Sequence, residues 1–204
     1  MKIVTASFEF EQEADGRQIL ARIERAGRTC YKSEDRITDG SAEKFVRMIV
    51  KSGHESVLEH ESVTVRIICD RGVSHEIVRH RLASYSQEST RYCNYGKAGE
   101  VTFVRPCFWD VGSTAYDSWY IAMQFAEAAY LDLLKNGATP QQARSVLPNS
   151  LKTEIVMTAN LREWRHFFRL RTSVAAHPQM RELAIPMLRE FQQLIPVVFE
   201  DLGA

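Results

Sequence analysis

Apolar residues recur at two spacings along this chain, and the two alternate from one end to the other. Residues 1–10, MKIVTASFEF, read as a short β segment; Ile19, Leu20 and Ile23 then mark one face of an amphipathic helix from Gly16 to about Arg28. After the polar loop KSEDRITDGS, Ser41 is expected to cap a helix whose apolar face is Phe45, Met48 and Ile49, with Gly53 closing it. Val63, Val65 and Ile67 alternate with Thr64 and Arg66, the pattern of a half-buried strand over 61–69. A helix from about Val73 to Leu82 is expected next, its cationic end feeding a polar segment from Ser84 to Tyr95, and 96–112 reads as irregular.

Tyr116, Tyr120, Met123 and Tyr130 place a long helix from about Thr114 to Asn136, ended by Gly137. Thr139-Pro140-Gln141-Gln142 is a capping box with proline at the first helical position, and its short helix stops by Pro148. Residues 151–159 fit strand and helix equally. Asn160 with Glu163 forms a second capping box, opening a helix that turns Leu161, Trp164 and Phe168 inward. From about Pro178 to Leu202 the pattern is helical, interrupted at Pro186 and Pro196. With no repeat, low-complexity tract or linker composition, the expectation is one α+β domain over 1–204.

Composition narrows the function. The 204 residues carry 26 basic and 26 acidic side chains, so the net charge is zero, which argues against a general nucleic-acid binder. No apolar run approaches the roughly 20 residues that span a bilayer, so no membrane role is expected. Cys30, Cys69, Cys93 and Cys107 form no C-x-x-C pair and no secretory segment opens the chain. A cytoplasmic protein with reduced thiols is expected.

The densest chemistry is RHRLASYSQESTRY, residues 79–92. Two guanidinium groups about 6 Å apart repel by roughly 3 kcal/mol at an effective dielectric of 20, so a fold that keeps Arg79 and Arg81 close is usually holding an anion. Ser84, Ser86, Ser89 and Thr90 add hydroxyls, and Arg91 adds another fork suited to phosphate oxygens. By itself the stretch reads equally as a phosphate or nucleotide site and as a solvated helix end. Arg162, His166 and Arg169 form a second cationic row at i, i+4 and i+7, followed by Arg171 and His177; Arg144 is one more candidate phosphate ligand.

GHESVLEH, residues 53–60, gathers His54, Glu55, Glu59 and His60, but not at the H-E-x-x-H spacing of a metal helix, so a polar network is favoured and no metal is expected. G-x-G-x-x-G, the P-loop and G-x-S-x-G are all absent, so a bound dinucleotide must be held by side chains, and Ser89 is a weak nucleophile candidate. Cys93 reads as an inert thiol rather than a thiolate.

Taken in order, these segments resemble the flavin-dependent thymidylate synthases. RHR, then Ser89 and Arg91, matches that family's signature; GHESVLEH precedes it at the usual distance. ARSVLP (143–148), the N-x-R of Asn160 to Arg162, and Leu170-Arg171 followed by His177-Pro178-Gln179 continue the series. The resemblance implies an α+β domain with a central, mostly antiparallel sheet and packed helices. It implies reductive methylation of deoxyuridylate (dUMP) to thymidylate (dTMP), with 5,10-methylenetetrahydrofolate as carbon donor and FAD, reduced by NADPH or NADH, as hydride carrier. No enzymic cysteine nucleophile takes part, and the enzyme is a homotetramer with shared sites.

Carried over by position, the resemblance assigns FAD contacts to Ser56, Arg79, His80, Arg81, Gln87, Asn160, Arg162 and His166. It assigns nucleotide contacts to Glu76, Arg79, Gln87, Glu88, Ser89, Thr90, Arg91, Arg144 and Arg171. His54 supports the network near the flavin, and Arg171 acts catalytically against the uracil ring. Some relatives carry glutamine where Glu76 stands, glutamate at Gln87 and Gln141, and asparagine at His166. The competing expectation is a non-catalytic nucleotide- or RNA-binding module using the same arginines; a nucleotide phosphohydrolase lacks a metal cluster or activated nucleophile.

Overall fold

The computed structural model describes residues 1–203. Its strands are β1 (Lys2–Val4), β2 (Ser7–Phe10), β3 (Ser62–Asp70), β4 (Ala83–Gln87), β5 (Thr102–Val104) and β6 (Lys152–Asn160). Its helices are α1 (Gly16–Thr29), α2 (Ser41–Lys51), α3 (Arg71–Ile77), α4 (Thr114–Lys135), α5 (Pro140–Ala143), α6 (Leu161–Arg171), α7 (Pro178–Leu194) and α8 (Pro196–Phe199). One sheet has the order β2-β3-β6-β4, and β1 pairs in parallel with β5, Ile3 opposite Phe103. β3 and β6 run antiparallel: Glu61 meets Leu161, Thr64 meets Thr158 and Arg66 meets Glu154, one index rising as the other falls. The expected α+β class with an antiparallel sheet is the fold that forms.

The chain packs as two compact units, and all but one of their boundaries fall within β2, β3, β4 and β6; the other lies between Arg79 and His80 in the turn before β4. The first comprises Met1–Phe8, Arg66–Arg79 and Tyr85–Val156. Its core sets Tyr116, Trp119, Met123 and Tyr130 of α4 against Val101, Phe103 and Leu151. The second comprises Glu9–Val65, His80–Ser84 and Met157–Ala204. There Trp164, Phe167, Phe168, Phe191 and Phe199 form a buried aromatic cluster, and the Trp164 indole donates to the Val63 carbonyl at 3.0 Å. Aromatic pairs of this kind contribute about 0.5–1.5 kcal/mol each beyond their area.

Several expectations are corrected. The helix expected to reach Leu82 ends at Ile77, where Tyr85 Oη donates to the Ile77 carbonyl at 3.0 Å, satisfying a group the helix leaves open. Arg79, His80 and Arg81 therefore lie in the turn before β4. Ser41 does not cap α2: Gly40 holds the cap position, and the Ser41 hydroxyl bonds the buried Glu24 carboxylate at 2.7 Å. Met48 is exposed, and the buried face of α2 is Phe45, Val46 and Ile49. That face packs so close to α1 that a Cβ on Gly27 would stand 2.7 Å from the Phe45 ring.

Residues 152–160 resolve as strand because Thr153, Ile155, Met157 and Ala159 are buried with period two. Pro186 does not interrupt α7. An interior proline costs about 3 kcal/mol, which the burial of Met180, Leu183, Met187, Leu188 and Phe191 along the same helix offsets. Pro196 does divide the segment, as the first residue of α8. The short β5 falls inside the stretch expected to be irregular.

Candidate active site

In the second unit the site begins at a helix cap. Asn160 Oδ1 accepts the Glu163 N–H at 2.8 Å, which fixes the start of α6 and hence the bearings of Arg162, Glu163, His166 and Arg171. The reciprocal half of the expected capping box does not form, because the Glu163 carboxylate is bonded to His80 Nδ1 at 3.0 Å. On the other side of the same ring, Arg171 Nε donates to His80 Nε2 at 3.1 Å. An acceptor at Nε2 places the imidazole proton on Nδ1, facing Glu163. Phe167 lies 4.9 Å from the His80 ring and His166 stands edge-on at 5.5 Å. Burial lowers the His80 pKa; the hydrogen bond to Glu163 opposes this and the Arg171 charge reinforces it, leaving the group below its ordinary value.

α6 also carries the cationic row seen in the sequence, and Arg162, His166 and Arg169 are exposed. Its counter-charges come from the 3₁₀ turn over residues 55–60. Glu59 accepts from Arg162 at 2.5 Å, and Glu55 accepts from Arg169 at 2.9 Å and from buried Arg165 at 3.0 Å. Burial pushes the Glu55 carboxyl up, but the Arg169 hydrogen bond and the Arg165 charge outweigh it and hold it below the usual range. Arg165 is bidentate to Asp201 at 2.7 Å and also donates to the Val198 carbonyl. Glu55 and Glu59 of GHESVLEH thus brace an arginine row, a role their spacing in sequence did not disclose. His54, Ser56 and Arg81 are exposed.

The first unit holds the other candidate residues. Residues 89–93 form a tight turn: the Ser89 carbonyl accepts from the Tyr92 and Cys93 N–H groups, and Ser89 Oγ accepts the Arg91 N–H at 3.3 Å. Arg91 Nε donates to Gln141 Oε1 at 3.0 Å, and Arg144 Nη1 donates to buried Thr90 at 3.1 Å. Both guanidiniums are therefore oriented by neutral oxygens that leave their charge in place, an arrangement suited to a phosphate. Gln87 gives its amide NH₂ to Ser74 at 2.9 Å and Thr153 at 3.3 Å. The Glu88 carboxylate is engaged by Tyr95 Oη at 2.7 Å and Lys152 Nζ at 3.0 Å, which makes it part of the frame under the turn. Glu76 is half-buried on α3, and Arg79 is exposed just beyond it.

None of the four cysteines forms a disulfide, and burial pushes the Cys69 thiol far above its ordinary pKa, which keeps it protonated. His80, Glu163 and His166 bring ligand-type atoms within 4.8 Å of one another. Both ring nitrogens of His80 are already engaged, one by a cation, so the grouping is a hydrogen-bond network rather than a metal centre. No helix among the described residues is long and apolar enough to cross a membrane.

A family model described as thymidylate synthase complementing protein matches residues 17–197, spanning both units. The flavin-dependent thymidylate synthase of Geobacter sulfurreducens is 38% identical, over 90% of this chain and 82% of its own. That of Corynebacterium glutamicum is 35% identical, over 96% and 84%. Among solved structures, a UMP/dUMP methylase, PolB from Streptomyces cacaoi, bound with 5-Br dUMP, superposes with a TM-score of 0.80 at 26% identity. It covers 98% of this chain and 96% of that one.

Proposed function

The chain belongs to the flavin-dependent thymidylate synthase family, and from that membership we propose that it methylates dUMP reductively to dTMP. The carbon comes from 5,10-methylenetetrahydrofolate and the reducing equivalents from NADPH or NADH, in a cytoplasmic homotetramer with shared sites. The observation that carries this reading is Arg171, a half-buried guanidinium held at Nε by a neutral imidazole.

The donors present fit FAD. Ser56, Arg79, Arg81, Arg162 and His166 are exposed polar or cationic groups, a set that suits a pyrophosphate and a ring edge in a chain without a glycine-rich phosphate loop. Asn160 joins them through its amide NH₂, His80 through its turn, and His54 supports the network. When bound, the flavin supplies the hydride. Gln87, held at the foot of the turn by Ser74 and Thr153, lies in the segment that orients both flavin and nucleotide.

The turn from Glu88 to Arg91, with Arg144, binds the dUMP phosphate: Ser89 and Thr90 contribute hydroxyls and the two arginines contribute charge. Glu76 and Arg79 complete the nucleotide contacts. Arg171 stabilises negative charge as it develops on the uracil ring, which makes C5 the nucleophile. Carbon transfer then needs no thiolate, in keeping with the protonated Cys69. A non-catalytic nucleotide- or RNA-binding module is not favoured, since the relatives are named as thymidylate synthases.

Purified protein supplied with FAD is expected to show a flavin absorbance band and to form dTMP only when reduced nicotinamide cofactor and methylenetetrahydrofolate are both present. Protein that binds no flavin and forms no dTMP under those conditions refutes the assignment.

A further inference from the structure

We propose that Glu163 and His80 are positioning residues for Arg171: Glu163 selects the Nδ1–H tautomer of His80, and the lone pair left on Nε2 fixes the Arg171 guanidinium. The inference rests on the catalytic reading of Arg171 and extends it by two side chains that do not themselves meet the uracil.

The hydrogen-bond directions allow one arrangement. A guanidinium has only donors, so the 3.1 Å contact between Arg171 Nε and His80 Nε2 needs an unprotonated Nε2. With the proton on Nε2, or on both nitrogens, two N–H groups would be opposed at that distance. The neutral ring must carry its proton on Nδ1, where Glu163 Oε1 accepts it at 3.0 Å. His80 is 4% exposed and Glu163 is 6% exposed, so water does not compete for either bond. Phe167 against the ring restricts its rotation.

The relay starts from the backbone, since Asn160 fixes the turn of α6 that carries Glu163. It ends two helical turns later on Arg171, a long side chain with several rotatable bonds. A cation that stabilises developing charge must be in place before the reaction, and the His80 contact fixes the direction of the Arg171 Nε–H. The charged and titratable groups facing His80 from α6 are Glu163, His166 and Arg171, and their balance with burial keeps the ring neutral near pH 7.

The test compares the parent holoenzyme with R171A, E163A and E163Q. Two readouts are taken on each: kcat and KM for dUMP methylation, and the tautomer of His80 from two-bond ¹H–¹⁵N spectra of ¹⁵N-histidine-labelled protein. The parent is expected to show His80 as the neutral Nδ1–H form. In E163A the ring loses its acceptor and shifts toward Nε2–H, and kcat falls by up to about 10²-fold, the effect of a catalytic group displaced by about 1 Å, while flavin content is retained. E163Q keeps an oxygen for Nδ1–H and is expected to restore both the tautomer and most of kcat. Because E163Q also removes a charge that raises the His80 pKa, its His80 should protonate at lower pH than the parent's.

An Nε2–H tautomer in the parent overturns the relay even if E163A does not fold. So does an E163A enzyme with parental kcat while R171A is inactive; in that case the reading of Arg171 survives. If R171A itself turns over like the parent, the catalytic reading of Arg171 falls and the relay's effect on rate falls with it.

Discussion

At the scale of single residues, the two arginines of the phosphate turn are set by neutral partners. Arg144 is aimed by Thr90 and Arg91 by Gln141, so neither charge is neutralised by a carboxylate among the described residues. A hydrogen bond to a charged group contributes about 1.5–3 kcal/mol, and each 1.4 kcal/mol is about tenfold in affinity. Arg144→Ala is therefore expected to raise the dUMP dissociation constant by about 10- to 100-fold, measured by equilibrium titration of flavin-loaded protein. Ser89→Ala should weaken binding less and retain methylation, because Ser89 Oγ chiefly orders the turn through the Arg91 N–H. Loss of all turnover in Ser89→Ala with binding intact would instead identify Ser89 as a nucleophile.

At the scale of elements, α6 is the pivot of its unit. One face buries Trp164, Phe167 and Phe168, the opposite face shows Arg162, His166 and Arg169, and between them Arg165 is 1% exposed. Arg165 ties α6 to α8 through Val198, to the turn after α8 through Asp201, and to the 55–60 turn through Glu55. Removing one partner of a buried ion pair costs about 3–5 kcal/mol, so Arg165→Ala should lower the urea midpoint sharply.

The pH dependence follows from the same group. The Arg165 hydrogen bond lowers the Asp201 pKa, and Glu55 also lies below its ordinary range. Depressed carboxyls contribute stability above their unfolded values, and that contribution is lost as pH falls through the folded ones. The melting temperature should therefore decline below about pH 4, near the ordinary carboxylate pKa. Asp201→Asn should be less stable at neutral pH and show a shallower decline. A variant with the parent's acid limb would remove Asp201 from the account.

At the scale of the whole molecule, the two clusters divide the proposed labour. The phosphate turn belongs to the first unit and the His80–Arg171 network to the second. In the proposed homotetramer with shared sites, an Arg144→Ala chain, assayed at dUMP far below its raised dissociation constant, and an Arg171→Ala chain should complement each other. Mixing the two after dissociation, or co-expressing them, is expected to recover dTMP formation that neither shows alone, with tetramer mass confirmed by light scattering. Tetramers that form mixed species and remain inactive would place both residues in one chain's own site.

The sequence by itself determined what periodicity and local chemistry encode. α1, α4 and α6, the Thr139–Gln142 cap and the alternation of β3 all rest on neighbours within a few residues. The ordered motifs, too, are local strings, and they sufficed to identify the family. Tertiary structure decided what depends on distant partners. β6 became a strand because both its neighbours in the sheet come from elsewhere in the chain. α3 stopped at Ile77 because Tyr85 returns to its last carbonyl, which moved Arg79, His80 and Arg81 from a helix end into a turn. Glu163 looked like half of a capping box, the best partner within three residues; folding offered it His80, 83 positions away. Local spacing can place a donor and an acceptor on one helix face, but only the packed chain decides which acceptor a buried carboxylate becomes.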